Sequence, residues 1–257
     1  LALICADIAG NHLWEVHLNR MKDKKFKSFN ALAVASNKVY VADAKTSLIH
    51  IFSAEDGTYQ QSFGGKGSQN GKLKTPLSLA ISSTGNIFVA DRGNNRISVF
   101  SEHLTFLENI SLISKGQRPK LLRIYGDNLY CLSEDSMIMM LPLGERGGIR
   151  KLVAMKKISS FDLLEDGRLA FVDSQTQKLN IYSQNRRQYH FFSQDKKAEF
   201  PHFADITMLR YDPWRRRLTI MDSKAAAPRF LHFFAALDSA QQITLSLNEN
   251  MQVQLSW

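Results

Sequence analysis

The sequence feature that most restricts the fold is a short block that recurs six times. Each copy has three mostly apolar residues followed, in five of the copies, by an aspartate. The copies are Ile4–Asp7, Tyr40–Asp43, Phe88–Asp91, Tyr130–Ser133, Ala170–Asp173 and Thr219–Asp222. Successive blocks end about 36 to 49 residues apart, and a period of this length with β-type residues is typical of a four-stranded propeller blade.

The residues around each block complete the four strands. In the clearest copy, residues 76–100, turn residues at Thr84-Gly85 and at 91–95 separate three runs rich in β-branched and aromatic residues. This alternation predicts antiparallel strands joined by tight turns. An apolar first strand precedes each block except the first one, and a third and a more polar fourth strand follow each block.

The two ends of the sequence fit this scheme. The chain starts at a second strand, Ile4–Asp7, and ends with the alternating run Met251–Trp257. That run can supply the missing first strand of the first blade and remove the open sheet edges. The sequence therefore predicts an all-β fold, a six-bladed β-propeller closed by a C-terminal strand that completes the first blade, with residues 1–257 as a single domain.

Two copies of the repeat carry a recognisable motif. Asn86-Ile-Phe-Val-Ala followed by Asp91-Arg-Gly-Asn-Asn-Arg-Ile97 closely resembles the core of an NHL repeat, and residues 7–13 match it at the same spacing. Residues 63–67 followed by Pro76 resemble the entry to such a repeat. The chain is thus similar to NHL-repeat propellers, as found in tripartite-motif proteins and in bacterial scaffolds. The resemblance implies a platform that binds RNA or proteins, although a few six-bladed relatives are metal-dependent enzymes.

The recurring aspartates allow a catalytic and a structural interpretation. A ring of carboxylates could hold a metal or act in catalysis. One copy per blade is better explained if each carboxylate caps the following turn by accepting backbone N–H groups, or pairs with the arginine or histidine five residues on. The seven histidines are scattered without metal-ligand spacing, and no nucleophile or phosphate-loop motif is present. We therefore predict no catalytic residues, no metal and no cofactor. Cys5 and Cys131 fall in different blades and are expected to be buried, reduced thiols.

The net charge of +9 is distributed unevenly among the predicted loops. Loops that join a fourth strand to the next first strand hold far more lysine and arginine than acid, and they share one face with the turns after each block. A cationic face is the expected footprint for phosphate contacts or for an acidic protein. The predicted partner-binding residues are Lys24, Lys25, Lys66, Lys72, Lys74, Arg92, Arg96, Lys115, Arg118, Lys120, Lys156 and Lys157.

These observations predict a non-enzymatic binding platform whose basic face binds an anionic partner, with RNA favoured. The alternative is a protein–protein interaction scaffold in a larger assembly, such as one in a bacterial envelope, and a metal-dependent lyase or hydrolase ranks last. We expect no small-molecule substrate. The sequence has no apolar run long enough for a transmembrane segment. A cytoplasmic location is favoured, and an extracytoplasmic (periplasmic) one is the alternative if a signal precedes residue 1.

Overall fold

The computed structural model describes residues 2–7, 11–18, 21, 26–112, 117–144, 148–176, 178–182, 188–191, 206–213, 217–222, 229–232, 244–247 and 253–256. They fall into two compact units, Leu1–Val153 and Ala154–Trp257. Regular structure in the described residues is almost entirely β-strand, as the sequence predicts. These residues include no helix with the length and apolarity that a membrane span requires.

The first unit contains one two-stranded and three four-stranded antiparallel sheets. In each four-stranded sheet the strands lie in chain order, which is the meander predicted for a blade. The strands are β1 (Ala2–Ala6), β2 (His12–His17), β3 (Ala31–Ala35), β4 (Lys38–Asp43), β5 (Leu48–Ser53), β6 (Tyr59–Gly64), β7 (Pro76–Ile81), β8 (Ile87–Asp91), β9 (Arg96–Phe100), β10 (Phe106–Ser111), β11 (Pro119–Tyr125), β12 (Asn128–Ser133), β13 (Met137–Pro142) and β14 (Arg150–Ala154).

The block strands β4, β8 and β12 form the buried centre of their sheets. Every residue of β8 is buried, and β4 and β12 are buried after their first residue. Their apolar residues pack between neighbouring sheets. One cluster joins Tyr40 and Ile51 of the second sheet to Val89 and Phe100 of the third, and another joins the third sheet to the fourth. Because both faces of each block strand are covered, these strands read as nearly continuous apolar runs.

The first sheet differs from the prediction, because the described residues do not include its expected fourth strand. Residues 26–29, where that strand was expected, have no strand structure. The backbone N–H of Lys27 and the hydroxyl of Ser28 instead donate to the Asp43 carboxylate, at 2.7 and 2.9 Å. Phe26 packs against His50, with ring centroids 4.4 Å apart. Phe26 in this segment therefore packs into the core, and the Lys27 and Ser28 donors bind the Asp43 carboxylate instead of pairing with a neighbouring strand.

The second unit contains two sheets. One has four strands in chain order, and the other has five strands in the order β19-β20-β21-β23-β22. The strands are β15 (Ile158–Leu163), β16 (Leu169–Asp173), β17 (Lys178–Tyr182), β18 (Gln188–Phe191), β19 (Ile206–Asp212), β20 (Arg217–Asp222), β21 (Arg229–His232), β22 (Thr244–Leu247) and β23 (Val253–Ser256). A buried cluster that includes Val172, Ile181, Leu209 and Ile220 packs the two sheets together.

The C-terminal strand does not have the pairing that the sequence predicts. Val253–Ser256 pairs antiparallel with β22 over four residue pairs and meets β21 at Leu231. Both of its edges are therefore occupied within its own sheet. The intervening sequence, which includes Asn248-Glu249-Asn250, favours a turn, and a hairpin between such close strands has a small loop-closure cost.

A serine in the first strand of two sheets links that sheet to the next one. The Ser78 hydroxyl, at the third position of β7, accepts the backbone N–H of Leu122 at the fourth position of β11, at 3.0 Å. In the second unit the Ser160 hydroxyl, at the third position of β15, accepts the N–H of Leu209 at the fourth position of β19, at 3.1 Å. The same bond at the same register shows that these sheets are copies of one structural unit.

Candidate binding surface

The third sheet shows how the recurring aspartate organises its turn. Asp91 ends β8, and its side chain is fully buried. One carboxylate oxygen accepts the backbone N–H of Lys74 at 2.7 Å. The other accepts the Asn94 side-chain amide at 2.8 Å and the Arg96 Nε–H at 2.9 Å. One carboxylate therefore ties the preceding loop to the following turn.

Other copies of the aspartate have equivalent roles. Asp7 accepts the backbone N–H of Asn11 at 2.8 Å, and Asp173 accepts that of Gln175 at 2.9 Å. Asp43 accepts the N–H groups of Lys45 and Thr46 at 3.0 and 3.1 Å. The structural interpretation of the aspartates is confirmed for these residues and for Asp91. The Asp222 side chain lies outside the part of the chain that the structure describes.

The environment of Asp43 favours its ionised form. Burial acts to raise the pKa of this carboxyl. The hydrogen bonds from the N–H groups of Lys27 and Thr46 and from Ser28 outweigh that effect and hold the pKa below its ordinary value. The carboxylate is therefore used as a fixed acceptor for the turn.

Arg96 fixes the shape of the loop formed by residues 64–75. Its guanidinium donates to the backbone carbonyls of Ser68 at 2.9 Å, Gln69 at 3.2 Å and Lys72 at 2.9 Å, in addition to Asp91. Its side chain is 14% exposed. Arg96 was predicted as a partner-binding residue, but in the structure its donors are directed at this loop.

Three of the predicted binding lysines extend from the loop that Arg96 holds. Lys66, Lys72 and Lys74 are exposed, and Leu73 between them is completely buried in the core. Asn94 also holds the loop through a 2.9 Å bond from its side-chain amide to the Gly67 carbonyl. The Lys72 ammonium donates to the Gly64 carbonyl at 3.2 Å. The loop is therefore an ordered support that carries three cations.

Gly93 allows the turn and the loop to approach closely. Its backbone N–H donates to the Lys74 carbonyl at 2.7 Å. A Cβ atom at this position would lie 2.6 Å from that carbonyl oxygen, which is closer than side-chain carbons come to backbone oxygens. A glycine is therefore required between Arg92 and Asn94.

Glu134, which the sequence analysis did not identify as part of the site, lies among the predicted binding residues Arg92, Arg118 and Lys120. Glu134 follows β12, and its carboxylate accepts Arg92 Nε–H at 2.5 Å and lies 3.8 Å from Arg118 Nη1. Lys120 is partly buried. Burial lowers the pKa of its ammonium, and the nearby Glu134 carboxylate opposes that shift. Glu134 is thus a shared counter-ion for three predicted binding residues.

A series of contacts links several of the predicted binding residues of the first unit. The 64–75 loop is bonded to the 92–96 turn, and Arg92 in that turn is bonded to Glu134, which also faces Arg118. We call Lys66, Lys72, Lys74, Arg92, Arg118 and Lys120 the basic surface. Lys156 and Lys157 are exposed in the second unit, where the Lys157 carbonyl accepts the Ser174 N–H at 2.8 Å. Lys24, Lys25 and Lys115 lie outside the described residues.

A groove of about 490 Å³ lies between the third and fourth sheets. It is bordered by the turn at 82–86, by β10 and by the end of β13. Leu107 in its wall is 48% exposed, and Glu108 and Asp127 are exposed beside it. The lining residues include no lysine or arginine, so this groove differs chemically from the basic surface.

Within the described residues, no group of three or more histidine, cysteine, aspartate or glutamate side chains is arranged to hold a metal ion. Cys5 and Cys131 are both free thiols, as expected. Cys131 is buried, and burial raises its pKa well above the ordinary thiol value. Cys5 is only partly buried, contrary to the prediction, because the two-stranded first sheet covers it incompletely.

Sequence comparison supports the repeat assignment. Residues 73–100 match the NHL repeat family model. The chain is 37% identical to the human E3 ubiquitin-protein ligase TRIM32 over 81 residues, and 47% identical to the Xenopus tropicalis E3 ubiquitin-protein ligase TRIM71 over 45 residues. These matches cover 32% and 18% of this chain, but only 12% and 6% of the two relatives.

Solved structures show the same fold. Virginiamycin B lyase from Staphylococcus aureus superimposes with a TM-score of 0.65 at 14% identity, over 99% of this chain and 76% of that one. The β-propeller domain of Cps50 (Swd1) from Myceliophteria thermophila gives a TM-score of 0.62 at 13% identity, over 91% and 72% of the two chains. At such identities the likeness concerns the fold alone. The fold is therefore that of a β-propeller.

The resemblance to NHL-repeat propellers is confirmed, since the chain carries an NHL repeat within a β-propeller fold. The family match covers strands β7, β8 and β9 of the third sheet and the end of the 64–75 loop. It therefore includes Asp91, Gly93 and Arg96, the residues that hold the loop in place.

Proposed function

We propose that this protein is a non-enzymatic binding platform and that its basic surface binds an anionic partner, with RNA favoured. The observation that supports this most directly is the 64–75 loop. Arg96, Asn94 and Asp91 hold its backbone, and three exposed lysines extend from it. A held loop presents its charges without the entropy cost of ordering a flexible one.

The chemistry of the surface suits phosphate groups. Lysine and arginine neutralise phosphates and release condensed counter-ions, and this release supplies most of the sequence-independent affinity for nucleic acids. In the described segments 64–75, 91–96, 117–120 and 133–135, the exposed acids are Glu134 and its neighbour Asp135, because Asp91 is buried beneath the loop. Cations therefore dominate the outer part of the surface.

A binding role fits the aspartates better than an enzymatic role does. Asp7, Asp43, Asp91 and Asp173, which would be the natural candidates for a ring of catalytic carboxylates, accept hydrogen bonds from their own turns. The likeness to a lyase is at 14% identity and is carried by the fold. A metal-dependent lyase or hydrolase is the alternative with least support.

The finer architecture that we propose is six blades, one for each observed sheet. The shared Ser78 and Ser160 bonds support equivalence of sheets in both units. In the first sheet, Ile4 is 61% exposed, and in the neighbouring second sheet Leu32 and Val34 on β3 are 51% and 60% exposed. A further strand along β1 would cover apolar residues of this kind and complete the first blade.

The test is charge reversal on the loop, with Lys72→Glu and Lys74→Glu combined. Binding of a fluorescein-labelled single-stranded oligouridine is measured by anisotropy over a series of salt concentrations. For the unmodified protein, we expect the logarithm of affinity to fall with the logarithm of salt by about 0.7 per phosphate contacted. The double variant should lose binding, because two attractive contacts become repulsive.

The matched control reverses two charges elsewhere in the first unit, with Lys38→Glu and Arg150→Glu. Lys38 starts β4 and Arg150 starts β14. In the antiparallel meanders these positions lie at the opposite ends of the strands from the 64–75 loop. The control should keep most of the affinity. Equal losses in both double variants, or no RNA binding by the unmodified protein at low salt, would refute the RNA proposal.

A protein-interaction scaffold is the second candidate, and the groove between the third and fourth sheets favours it. The groove combines the exposed Leu107 with the carboxylates of Glu108 and Asp127, a mixture that is common at protein-binding sites. If the oligouridine does not bind, this groove becomes the first surface to mutate.

A further inference from the structure

Glu134 lies within the basic surface and neutralises it from within. Its carboxylate is 2.5 Å from Arg92 Nε and 3.8 Å from Arg118 Nη1. These two arginines come from different sheets, since Arg92 follows β8 and Arg118 precedes β11. The side chains of Arg92 and Glu134 are 33% and 34% exposed, and that of Arg118 is 51% exposed. A solute can therefore reach all three groups.

A comparison of Arg92 with Arg96 indicates that the Arg92–Glu134 ion pair contributes little to the stability of the fold. Arg96 is 14% exposed and bonded to a buried carboxylate and three carbonyls. Arg92 has its only ion pair, among the described residues, with a carboxylate that is itself open to solvent. Exposed ion pairs of this type contribute little to stability. The Arg92–Glu134 and Arg118–Glu134 contacts can therefore open without a large cost to the fold.

We propose that Glu134 is an internal competitor for the ligand of the basic surface, so that Arg92 and Arg118 exchange its carboxylate for a phosphate when RNA binds. This inference rests on the proposed RNA function and identifies the residue that limits its affinity. A phosphate can accept the same N–H donors that the carboxylate accepts, with bidentate geometry available to both. A phosphate that uses the Arg92 Nε–H must displace Glu134, and a phosphate that uses the other donors of these arginines binds beside its negative charge.

The consequence is that removing the Glu134 charge strengthens binding. Exposed ion pairs are worth about 0.2–1 kcal/mol each, so freeing two arginines corresponds to about a 2-fold to 30-fold increase in affinity. The gain should be largest at low salt, because screening weakens the competition between carboxylate and phosphate. It should also require Arg92, the closer of the two arginines.

The experiment compares Glu134→Gln with Glu102→Gln by oligouridine anisotropy. Glu102 is an exposed acid in the connection between β9 and β10, where it lies 3.5 Å from His103. Its substitution makes the same change in net charge without touching the basic surface. We expect tighter binding for Glu134→Gln and an affinity close to that of the unmodified protein for Glu102→Gln. The Arg92→Gln/Glu134→Gln double variant should lose much of the gain.

Each outcome has a distinct meaning. If the unmodified protein binds but Glu134→Gln behaves like Glu102→Gln, the competitor role is wrong and the RNA function stands. If no variant binds, the RNA function fails and this inference fails with it. Circular dichroism establishes that the variants are folded. If Glu134→Gln is not folded, Glu134→Ser removes the same charge with a smaller side chain, and weaker binding by folded Glu134→Ser would equally overturn the proposal.

Discussion

Replacement of Arg96 by alanine tests whether one side chain holds the loop that carries the lysines. The substitution removes the bond to Asp91 and three bonds to the loop carbonyls. It also leaves the Asp91 carboxylate, whose side chain is fully buried, without its cation. Breaking a buried pair in this way costs about 3–5 kcal/mol. Because water reaches part of the Arg96 side chain, we expect the lower end of this range, about 3 kcal/mol.

The matched control is Arg92→Ala, four positions earlier in the same turn. Its pair with Glu134 is about one-third exposed on both sides, so the expected cost is about 0.2–1 kcal/mol. For a protein of this size, about 3 kcal/mol corresponds to a fall in Tm of about 6–12 °C. Thermal unfolding followed by circular dichroism should therefore separate the two variants clearly.

A second measurement examines the loop itself. Trypsin cleaves after Lys66, Lys72 and Lys74, so limited proteolysis with mass spectrometry reports whether the loop has opened. We expect early cleavage there in Arg96→Ala and not in Arg92→Ala. Asp91→Asn added to Arg96→Ala should recover part of the stability by removing the unpaired buried charge. Equal Tm values for the two single variants, with loops equally resistant to trypsin, would refute the argument.

Two further predictions concern the repeat. Gly93→Ala should destabilise the protein by about 1–3 kcal/mol, because the new Cβ would lie 2.6 Å from the Lys74 carbonyl oxygen. The control Gly144→Ala, whose Cβ would have no atom within 4 Å, should be nearly neutral. Similar urea midpoints for the two variants would contradict this prediction. Asp43 has a folded-state pKa held below the ordinary value, so its contribution to stability is complete above about pH 3.9, the unfolded value, and is lost as the pH falls through the folded value. The Tm difference between the unmodified protein and Asp43→Asn should therefore shrink on acidification, and a constant difference down to the lowest accessible pH would count against this role.

The sequence predicts the strand order well because each blade is a local meander. The strands of the 76–100 repeat are separated by short turns, so turn residues and apolar runs locate them directly. Strand prediction from apolar runs is wrong at residues 26–29. This segment is not a strand, because its donors bind Asp43 and Phe26 packs into the core. The prediction also fails for Val253–Ser256, since alternation predicts a strand but does not choose its neighbours.

The turn aspartates could be interpreted from sequence because their bonds are mainly local, as in the bond from Asn11 to Asp7. The contacts of Arg92, Arg96 and Glu134, which determine the charge of the basic surface, could not be predicted from sequence. Arg92 and Glu134 are 42 residues apart and meet only because two sheets are neighbours. Arg96 looked like a free cation, and its bonds to carbonyls 24 to 28 residues away depend on the path of the loop. Counting the charged residues in each loop therefore cannot predict the Arg92–Glu134 contact or the contacts of Arg96.

The bonds from Arg96 to the 64–75 loop end on main-chain carbonyl oxygens, and so does the bond from Asn94 to Gly67. Main-chain carbonyls are present whichever side chains the loop carries. The exposed positions 66, 68, 69, 70, 72 and 74 can therefore change identity while the backbone keeps its course. In this repeat the residues that hold the backbone are separated from those that we propose to contact the ligand, so the proposed site allows the same scaffold to acquire a new specificity by substitution within a single loop.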